Sequence, residues 1–163
     1  MTMNIRVYDE IYGEALLTVE EMAAAGGDSF DAADRVPGAA GRAFDVKTWH
    51  RNWSAARLAG QDREPVRLQV EAADEFQASI PWGELDKALL LYAQADGSPL
   101  VKGHPLRLYV PGGSSECLNV KSVVALRLLY DESVREQEAT YGFKNTVSLD
   151  ELKRKPQSLA NIN

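Results

Sequence analysis

The stretches Val66-Arg-Leu-Gln-Val70 and Phe76-Gln-Ala-Ser-Ile80 decide the fold class of this chain. In the first stretch apolar side chains alternate with polar ones, and this period of two predicts a half-buried strand. The second stretch follows after a short polar segment, residues 72–75, which predicts a turn. The two stretches therefore predict a β-hairpin near the middle of the chain.

Upstream of this hairpin the sequence predicts one strand, two helices and a loop. Residues 4–8 alternate as a strand, and Thr18-Val-Glu-Glu21 has the spacing of a capping box that opens a helix ending at Gly26-Gly27. Residues 28–41 are rich in Asp, Ala and Gly, which predicts a loop. Residues 42–58 are predicted to be helical because Trp49 and Trp53 fit a period of 3.6, and we expect both rings in the core.

Downstream, Pro81 stands where a helix could begin, and Trp82, Leu85, Leu89 and Tyr92 follow at three- and four-residue steps. This spacing predicts a helix that ends before the turn at residues 96–99. Residues 106–110 and 120–129 are predicted strands on either side of the loop at residues 111–115, and Ser148-Leu-Asp-Glu151 is a second capping box.

Strands and helices alternate irregularly and no internal repeat is present, which predicts an α+β class with a mixed sheet. A length of 163 residues, 45% of them hydrophobic, fits one compact domain spanning residues 1–163, with residues 131–163 as a C-terminal extension that carries a short helix.

The charge and composition of the chain argue against several classes of binding partner. A net charge of −6 argues against a nucleic-acid partner, because such binding depends on clustered Lys and Arg. The one basic cluster, Lys153-Arg154-Lys155, is interpreted as a solvated helix end. The longest apolar stretch, residues 88–93, is too short to cross a membrane, and a single cysteine permits no internal disulfide. We therefore expect a cytoplasmic protein that binds neither nucleic acid nor membrane.

Several short motifs follow one another in a characteristic order. They are Phe76-Gln-Ala-Ser-Ile-Pro81, Asp96-Gly-Ser-Pro-Leu100, Gly103-His-Pro-Leu-Arg-Leu108, Val110-Pro-Gly112 and Lys121-Ser-Val-Val124. In this order they resemble the molybdopterin-binding domain of the sulfite oxidase family. The resemblance covers about residues 37–130 and is strongest over residues 76–130. It implies a sulfite oxidase-like molybdopterin-binding fold and a molybdopterin-dependent oxidoreductase ancestry.

The resemblance also implies the binding residues. Arg107, Lys121 and Ser122 stand at family positions that contact the phosphate and pterin of molybdopterin; Lys102 replaces a histidine, and Gly112 lies in the Val-Pro-Gly loop. A guanidinium group grips a phosphate through two hydrogen bonds, and a lysine adds a compact charge. Without a ligand, Arg107 would simply face solvent and Gly112 would form a tight turn.

The chain departs from the family at the metal. The family's molybdenum-ligating cysteine falls within the stretch corresponding to residues 29–41, which here contains no cysteine, so standard molybdenum catalysis is not expected. Cys117 is either a displaced ligand or a small buried apolar side chain, and the second interpretation is favoured. Asp45, His50 and Ser54 have the residue types of a hydrolytic triad without its surrounding motif, which indicates chance composition.

Two main hypotheses follow. The first is a molybdopterin-binding, oxidoreductase-like domain that binds a pterin or another small phosphorylated ligand without standard catalysis. The second is a non-catalytic scaffold or interaction protein that kept the fold and lost the cofactor. An enzyme that uses Cys117 or a ligand from a partner is a third. Convergence of Lys102, Arg107 and Lys121 on one cavity would favour the binding hypothesis. If they point apart or are neutralised by carboxylates, the scaffold hypothesis is favoured.

Overall fold

The computed structural model describes residues 4–57 and 63–144. Its strands are β1 (Asn4–Asp9), β2 (Gly13–Thr18), β3 (Phe30–Asp31), β4 (Arg42–Asp45), β5 (Arg67–Ala72), β6 (Phe76–Pro81), β7 (Leu89–Ala93), β8 (Arg107–Tyr109), β9 (Val123–Leu129) and β10 (Thr140–Phe143). Its α-helices are α1 (Val19–Ala25) and α2 (Val46–Arg57). Short 3-10 turns occupy Ala32–Asp34, Trp82–Leu85, Glu116–Leu118 and Glu132–Val134.

The strands form two sheets. The larger sheet has the order β10-β6-β5-β9-β1-β2, and the smaller has the order β3-β4-β7-β8. In the larger sheet β1 and β9 run parallel, whereas the other neighbours are antiparallel. The predicted α+β class with a mixed sheet is confirmed.

The main core lies between the larger sheet, helix α2 and one face of the smaller sheet. Its members include Ile5, Val7, Trp49, Trp53, Leu68, Val70, Leu90, Leu108 and Leu126. A second, smaller cluster lies on the other face of the smaller sheet and comprises Ala32, Ala43, Leu89, Leu91 and Leu100. The inward-facing residues of β5 are those that alternate in the sequence, which is why the pattern could identify this strand.

The central hairpin and the first helix are confirmed. Strands β5 and β6 pair antiparallel, with Val70 opposite Ala78, and the turn between them places Glu75 in the left-handed region with φ 73°. At the start of α1 the Thr18 side chain accepts from the Glu21 amide at 3.0 Å. The Glu21 carboxylate in turn accepts from the Thr18 amide at 2.9 Å, which completes the capping box.

The predicted helix after Pro81 is wrong. A single 3-10 turn, Trp82–Leu85, is followed by strand β7, which pairs with β4 on one side and with β8 on the other. Because β7 is central and nearly all of its residues are buried, its sequence is a continuous apolar run without alternation. Such a run has no period of its own, and the tryptophan and leucines matched a helical spacing by coincidence.

Three smaller predictions also change. The helix predicted for residues 42–58 begins at Val46, because residues 42–45 form β4. Strand β2 was not predicted, and the expected loop at residues 28–41 contains the short strand β3. The second capping box at Ser148 and the basic cluster at Lys153 lie outside the described residues. In the described part of the chain, no helix has the length and apolar character needed to cross a bilayer.

Candidate functional site

Two of the motifs that carry the family resemblance lie side by side. Leu108 in β8 and Val120 exchange two backbone hydrogen bonds, with N···O distances of 2.8 and 2.9 Å. The Ser122 amide also donates to the Gly103 carbonyl at 3.3 Å. Arg107 precedes Leu108 and Lys121 follows Val120, so the two cations lie on neighbouring backbone segments beside this bridge. Residues separated by about fifteen positions in the sequence are therefore backbone neighbours.

Arg107 is half-buried and runs over a glycine. A Cβ atom on Gly103 would lie 2.4 Å from Cδ of Arg107, so the bare glycine backbone leaves the room that this side chain occupies. Gly103 also adopts φ +80°, which favours glycine. On its other side the guanidinium carbon lies 5.1 Å from the centre of the Tyr109 ring. Gly103 and Tyr109 together restrict where the guanidinium group can lie.

The cations of this region lack carboxylate partners. Lys102 and Lys121 are exposed, and neither of them nor Arg107 forms an ion pair with any residue in the described ranges. We call Lys102, Gly103, Arg107, Lys121 and Ser122 the basic face. Three cationic residues therefore lie on adjacent backbone segments of a chain whose net charge is −6.

Gly112 lies at the far end of β8 from Gly103. There the Gly113 amide donates to the Val110 carbonyl at 3.0 Å and closes a tight turn. The next residue, Ser114, donates to the Glu84 carboxylate at 3.0 Å through both its amide and its hydroxyl. No hydrogen bond among the described residues joins this turn to the basic face, so a role for Gly112 in ligand binding stays a prediction.

The interpretation of Cys117 as a small buried side chain is wrong, because the thiol is exposed. Cys117 lies in the 3-10 turn Glu116–Leu118, which the Ser115 side chain caps by accepting from the Cys117 amide at 3.0 Å. In this turn Leu118 takes the buried position, with an exposed fraction of 0%. The turn therefore needs an apolar residue one position after the cysteine.

Residues 29–41, where the resemblance would place a cysteine, contribute an ion pair to the fold. Arg35 pairs with Asp45 at 2.6 Å and lies over the Phe30 ring at 4.4 Å. Asp45 also accepts from the Thr48 amide at 2.9 Å at the start of α2. Burial acts to raise the pKa of Asp45, but the hydrogen bonds from Arg35 and Thr48 outweigh it and lower that pKa. Arg35 and Asp45 stabilise the start of α2. They supply no thiolate, so they do not fit a molybdenum centre that is held by a cysteine.

Asp45, His50 and Ser54 do not form a triad, as expected for a chance combination. Asp45 is engaged with Arg35, and the Ser54 hydroxyl donates to the Arg51 carbonyl at 3.2 Å. His50 instead turns toward two residues that the sequence did not single out, Asp9 and Tyr130.

Asp9, His50 and Tyr130 form a buried polar network. The Tyr130 hydroxyl donates to Asp9 Oδ2 at 2.7 Å, and His50 Nε2 lies 3.2 Å from the same oxygen and 2.9 Å from the hydroxyl. Asp9 Oδ1 accepts from the amides of Ile11 and Tyr12 at 2.8 and 3.0 Å. Every oxygen of a fully buried carboxylate is therefore hydrogen-bonded.

The network shifts two pKa values in opposite directions. Burial works against ionisation of Asp9, but the hydrogen bonds from His50, Tyr130 and the two amides prevail and lower its pKa. Burial and the neighbouring carboxylate both raise the pKa of Tyr130. Asp9 ends β1 and Tyr130 follows β9, and no pattern in the sequence indicated that these two strands are parallel neighbours.

No protein-family model matches the chain, and no curated protein matches it. Within residues 4–57 and 63–144, no group of three or more His, Cys, Asp and Glu side chains is placed to hold a metal ion. The basic face and the buried network are therefore the features from which a function can be inferred.

Proposed function

We propose that this chain is a small binding domain of the sulfite oxidase-like, molybdopterin-binding type. It binds a pterin or another small phosphorylated ligand at the basic face and does not perform standard molybdenum catalysis. The observation that carries this proposal is the position of Arg107 and Lys121 on neighbouring backbone segments beside the Leu108–Val120 bridge, with neither charge neutralised by a carboxylate in the described residues.

Like charges held on neighbouring segments repel each other unless something neutralises them. A phosphate group is suited to this role, because a guanidinium can donate two parallel hydrogen bonds to it while an ammonium group supplies a point charge. Lys102 adds a third charge beside Gly103, and the Ser122 hydroxyl adds a donor. The basic face thus offers the donors that a phosphate monoester needs, at neighbouring backbone positions.

The phosphorylated part of molybdopterin suits these residues better than its metal does. A molybdenum held through a protein thiolate needs a cysteine at the family's position, and the corresponding stretch supplies the Arg35–Asp45 ion pair instead. When bound, the pterin would supply a polar ring system and a phosphate for recognition. The residues of this chain would hold the phosphate and orient the ring.

Calorimetry with a phosphorylated pterin, and with the same pterin lacking phosphate, tests the proposal. We expect binding that depends on the phosphate and weakens as salt rises. Arg107→Gln and Lys121→Gln should each weaken it by about 10- to 100-fold, the effect of losing a charge-assisted hydrogen bond. Arg127→Gln is the matched control, because Arg127 is also half-buried and also lies over a tyrosine, Tyr8, but belongs to the larger sheet.

A pair of glycine variants tests the geometry of Arg107 without removing a charge. Gly103→Ala forces the Arg107 side chain away, whereas Gly97→Ala has a similar positive φ and open space around the new Cβ. We expect the first variant to weaken binding and the second to bind like the wild type. Absence of binding by the wild-type chain would instead favour the scaffold hypothesis.

A further inference from the structure

The core-facing side of the larger sheet ends in exposed aromatic rings at strand β10. Tyr141 and Phe143 are 48% and 47% exposed, and they are two of the four large apolar side chains that stand exposed in the described residues. They lie two positions apart on one strand and therefore share a face of the sheet. Leu16 and Val101, the other two, belong to other parts of the chain.

The register of β10 shows which face of the sheet this is. Tyr141 lies opposite Ala78 and Phe143 lies opposite Phe76, both in β6. Ala78 is a member of the main core, and Phe76 packs against that core. The rings of Phe76 and Phe143 meet edge to face, with their centres 5.2 Å apart. We call Phe76, Tyr141 and Phe143 the aromatic ledge, an outward continuation of the core that the described residues leave partly uncovered.

Carboxyl-bearing residues flank the aromatic ledge. Asp74 and Glu75 lie in the turn that precedes Phe76, and Glu116 lies in the 3-10 turn that contacts β6 and β10. All three carboxyl-bearing residues are exposed, and none forms an ion pair within the part of the chain that the structure describes. The ledge therefore favours an occupant that combines apolar side chains with positive charge.

The chain that follows β10 contains a segment of this chemistry, which lies outside the described residues. The capping box that begins at Ser148 predicts a helix. Val147 before the cap and Leu152 four positions after it have the spacing of a hydrophobic staple. The basic cluster Lys153-Arg154-Lys155 follows directly. Residues 147–155, which we call the tail segment, therefore combine apolar and cationic side chains.

We propose that the tail segment binds to the aromatic ledge, with its apolar residues on the rings and its cations beside Asp74, Glu75 and Glu116. Only residues 145–146 separate Lys144 from the tail segment, and the Lys144 amide donates to the Glu75 carbonyl at 3.0 Å. So short a tether gives a high effective concentration, which favours the chain itself over a separate partner. The aromatic ledge shares no residue with the basic face, and this proposal does not depend on the ligand proposed there.

Cys117 allows the proposal to be tested in the full chain, because it is the only cysteine, is exposed, and lies in the turn that contacts β10. A nitroxide attached to its thiol broadens the amide resonances of nearby residues in ¹⁵N nuclear magnetic resonance. We expect strong broadening of the tail segment, and weaker broadening when Leu149→Ser and Leu152→Ser are combined. Leu159→Ser, which lies beyond Pro156, is the matched control and should behave like the wild type.

A second copy of the chain is the main alternative occupant of the ledge, and a mixed sample separates the two. In this sample a nitroxide-labelled chain without ¹⁵N is combined with a ¹⁵N chain without nitroxide, so that broadening arises only between chains. We expect no broadening of the tail segment there. Broadening in the mixed sample, equal broadening in the wild type and the Leu149→Ser, Leu152→Ser variant, or no broadening in the labelled wild type would overturn the proposal.

Tryptic cleavage within Lys153-Arg154-Lys155 provides a second readout that needs no label. Docking should slow this cleavage, since trypsin cleaves the undocked state. Phe143→Ser removes a ring of the ledge and should accelerate the cleavage about 5- to 30-fold, as should the combined leucine variant, which leaves the described fold intact. Val101→Ser removes an exposed apolar side chain elsewhere and should leave the rate unchanged. Equal rates in all of these chains would contradict a docked tail segment.

Discussion

Replacing Arg67 by methionine should lower the free energy of unfolding by about 3–5 kcal/mol, because it leaves the acceptors of a buried guanidinium without their donor. Arg67 is 2% exposed and no carboxylate of the described residues pairs with it. Burial therefore lowers its pKa. Its guanidinium donates instead to the Ser79 hydroxyl at 2.6 Å and carbonyl at 3.3 Å, and to the carbonyls of Val134, Gln137 and Glu138.

The size of the stability loss depends on the hydrogen bonds that the acceptors of Arg67 lose in the variant. Hydrogen bonds from a charged donor contribute about 1.5–3 kcal/mol each, so a simple sum over these bonds would exceed the expected effect. The segment before β10 lies at the surface, where water can reach its carbonyls once the guanidinium is gone, whereas the Ser79 acceptors lie in the sheet. Partial rehydration brings the expected loss back to the stated range.

Urea unfolding followed by tryptophan fluorescence measures this loss, since three tryptophans are buried. Arg127→Met is the control, because Arg127 lies on the neighbouring strand and over the Tyr8 ring at 5.9 Å, but its side chain forms no hydrogen bond or ion pair with the described residues. We expect the control to lose no more than about 1 kcal/mol. An Arg67 variant as stable as the control would refute the view that Arg67 fastens the segment between β9 and β10 to the sheet.

Three further predictions concern the core. Asp9→Asn should lower the free energy of unfolding by about 2–4 kcal/mol at neutral pH. Because the pKa of Asp9 is lowered in the folded state, the stability of the wild type should fall more steeply than that of the variant as the pH drops below about 4. Parallel stability curves for the two proteins would contradict this. Tyr130→Phe should lower the free energy of unfolding by about 1–2 kcal/mol. Since the pKa of Tyr130 is raised in the folded state, the variant should also lose less stability than the wild type above about pH 10. Denaturation experiments across that pH range measure the difference. Gly26→Ala should cost about 1–3 kcal/mol because its Cβ would lie 2.5 Å from the Phe44 ring, whereas Gly83→Ala, with open space, should be nearly neutral in thermal melts.

The local rules of the sequence predicted much of the fold. The β5–β6 hairpin and the capped helix α1 each depend on interactions within a few residues, so alternation and capping signals were sufficient to place them. Strand β7 failed because its environment is non-local: partners on both sides and apolar neighbours on both faces remove the alternation that marks a strand. Strand β2 lies at the edge of the larger sheet and none of its residues is buried, so its alternation is weak and the strand was missed.

The sequence likewise predicted some features of the candidate site and not others. The motifs named Arg107 and Lys121 individually, but only the pairing of Leu108 with Val120 reveals that they lie on neighbouring backbone segments. The buried network of Asp9, His50 and Tyr130 spans most of the chain, and no short pattern in the sequence connects these residues.

The central claim is that the basic face holds a phosphorylated ligand. It is tested most directly by analysing pterin, phosphorus and molybdenum in the chain purified from its native host, beside an Arg107→Gln, Lys121→Gln double variant purified in the same way. We expect a phosphorylated pterin or similar small phosphorylated compound on the wild type, little on the double variant, and no molybdenum held by the chain. A wild type that carries no phosphorylated compound, or carries no more of one than the double variant does, would contradict it.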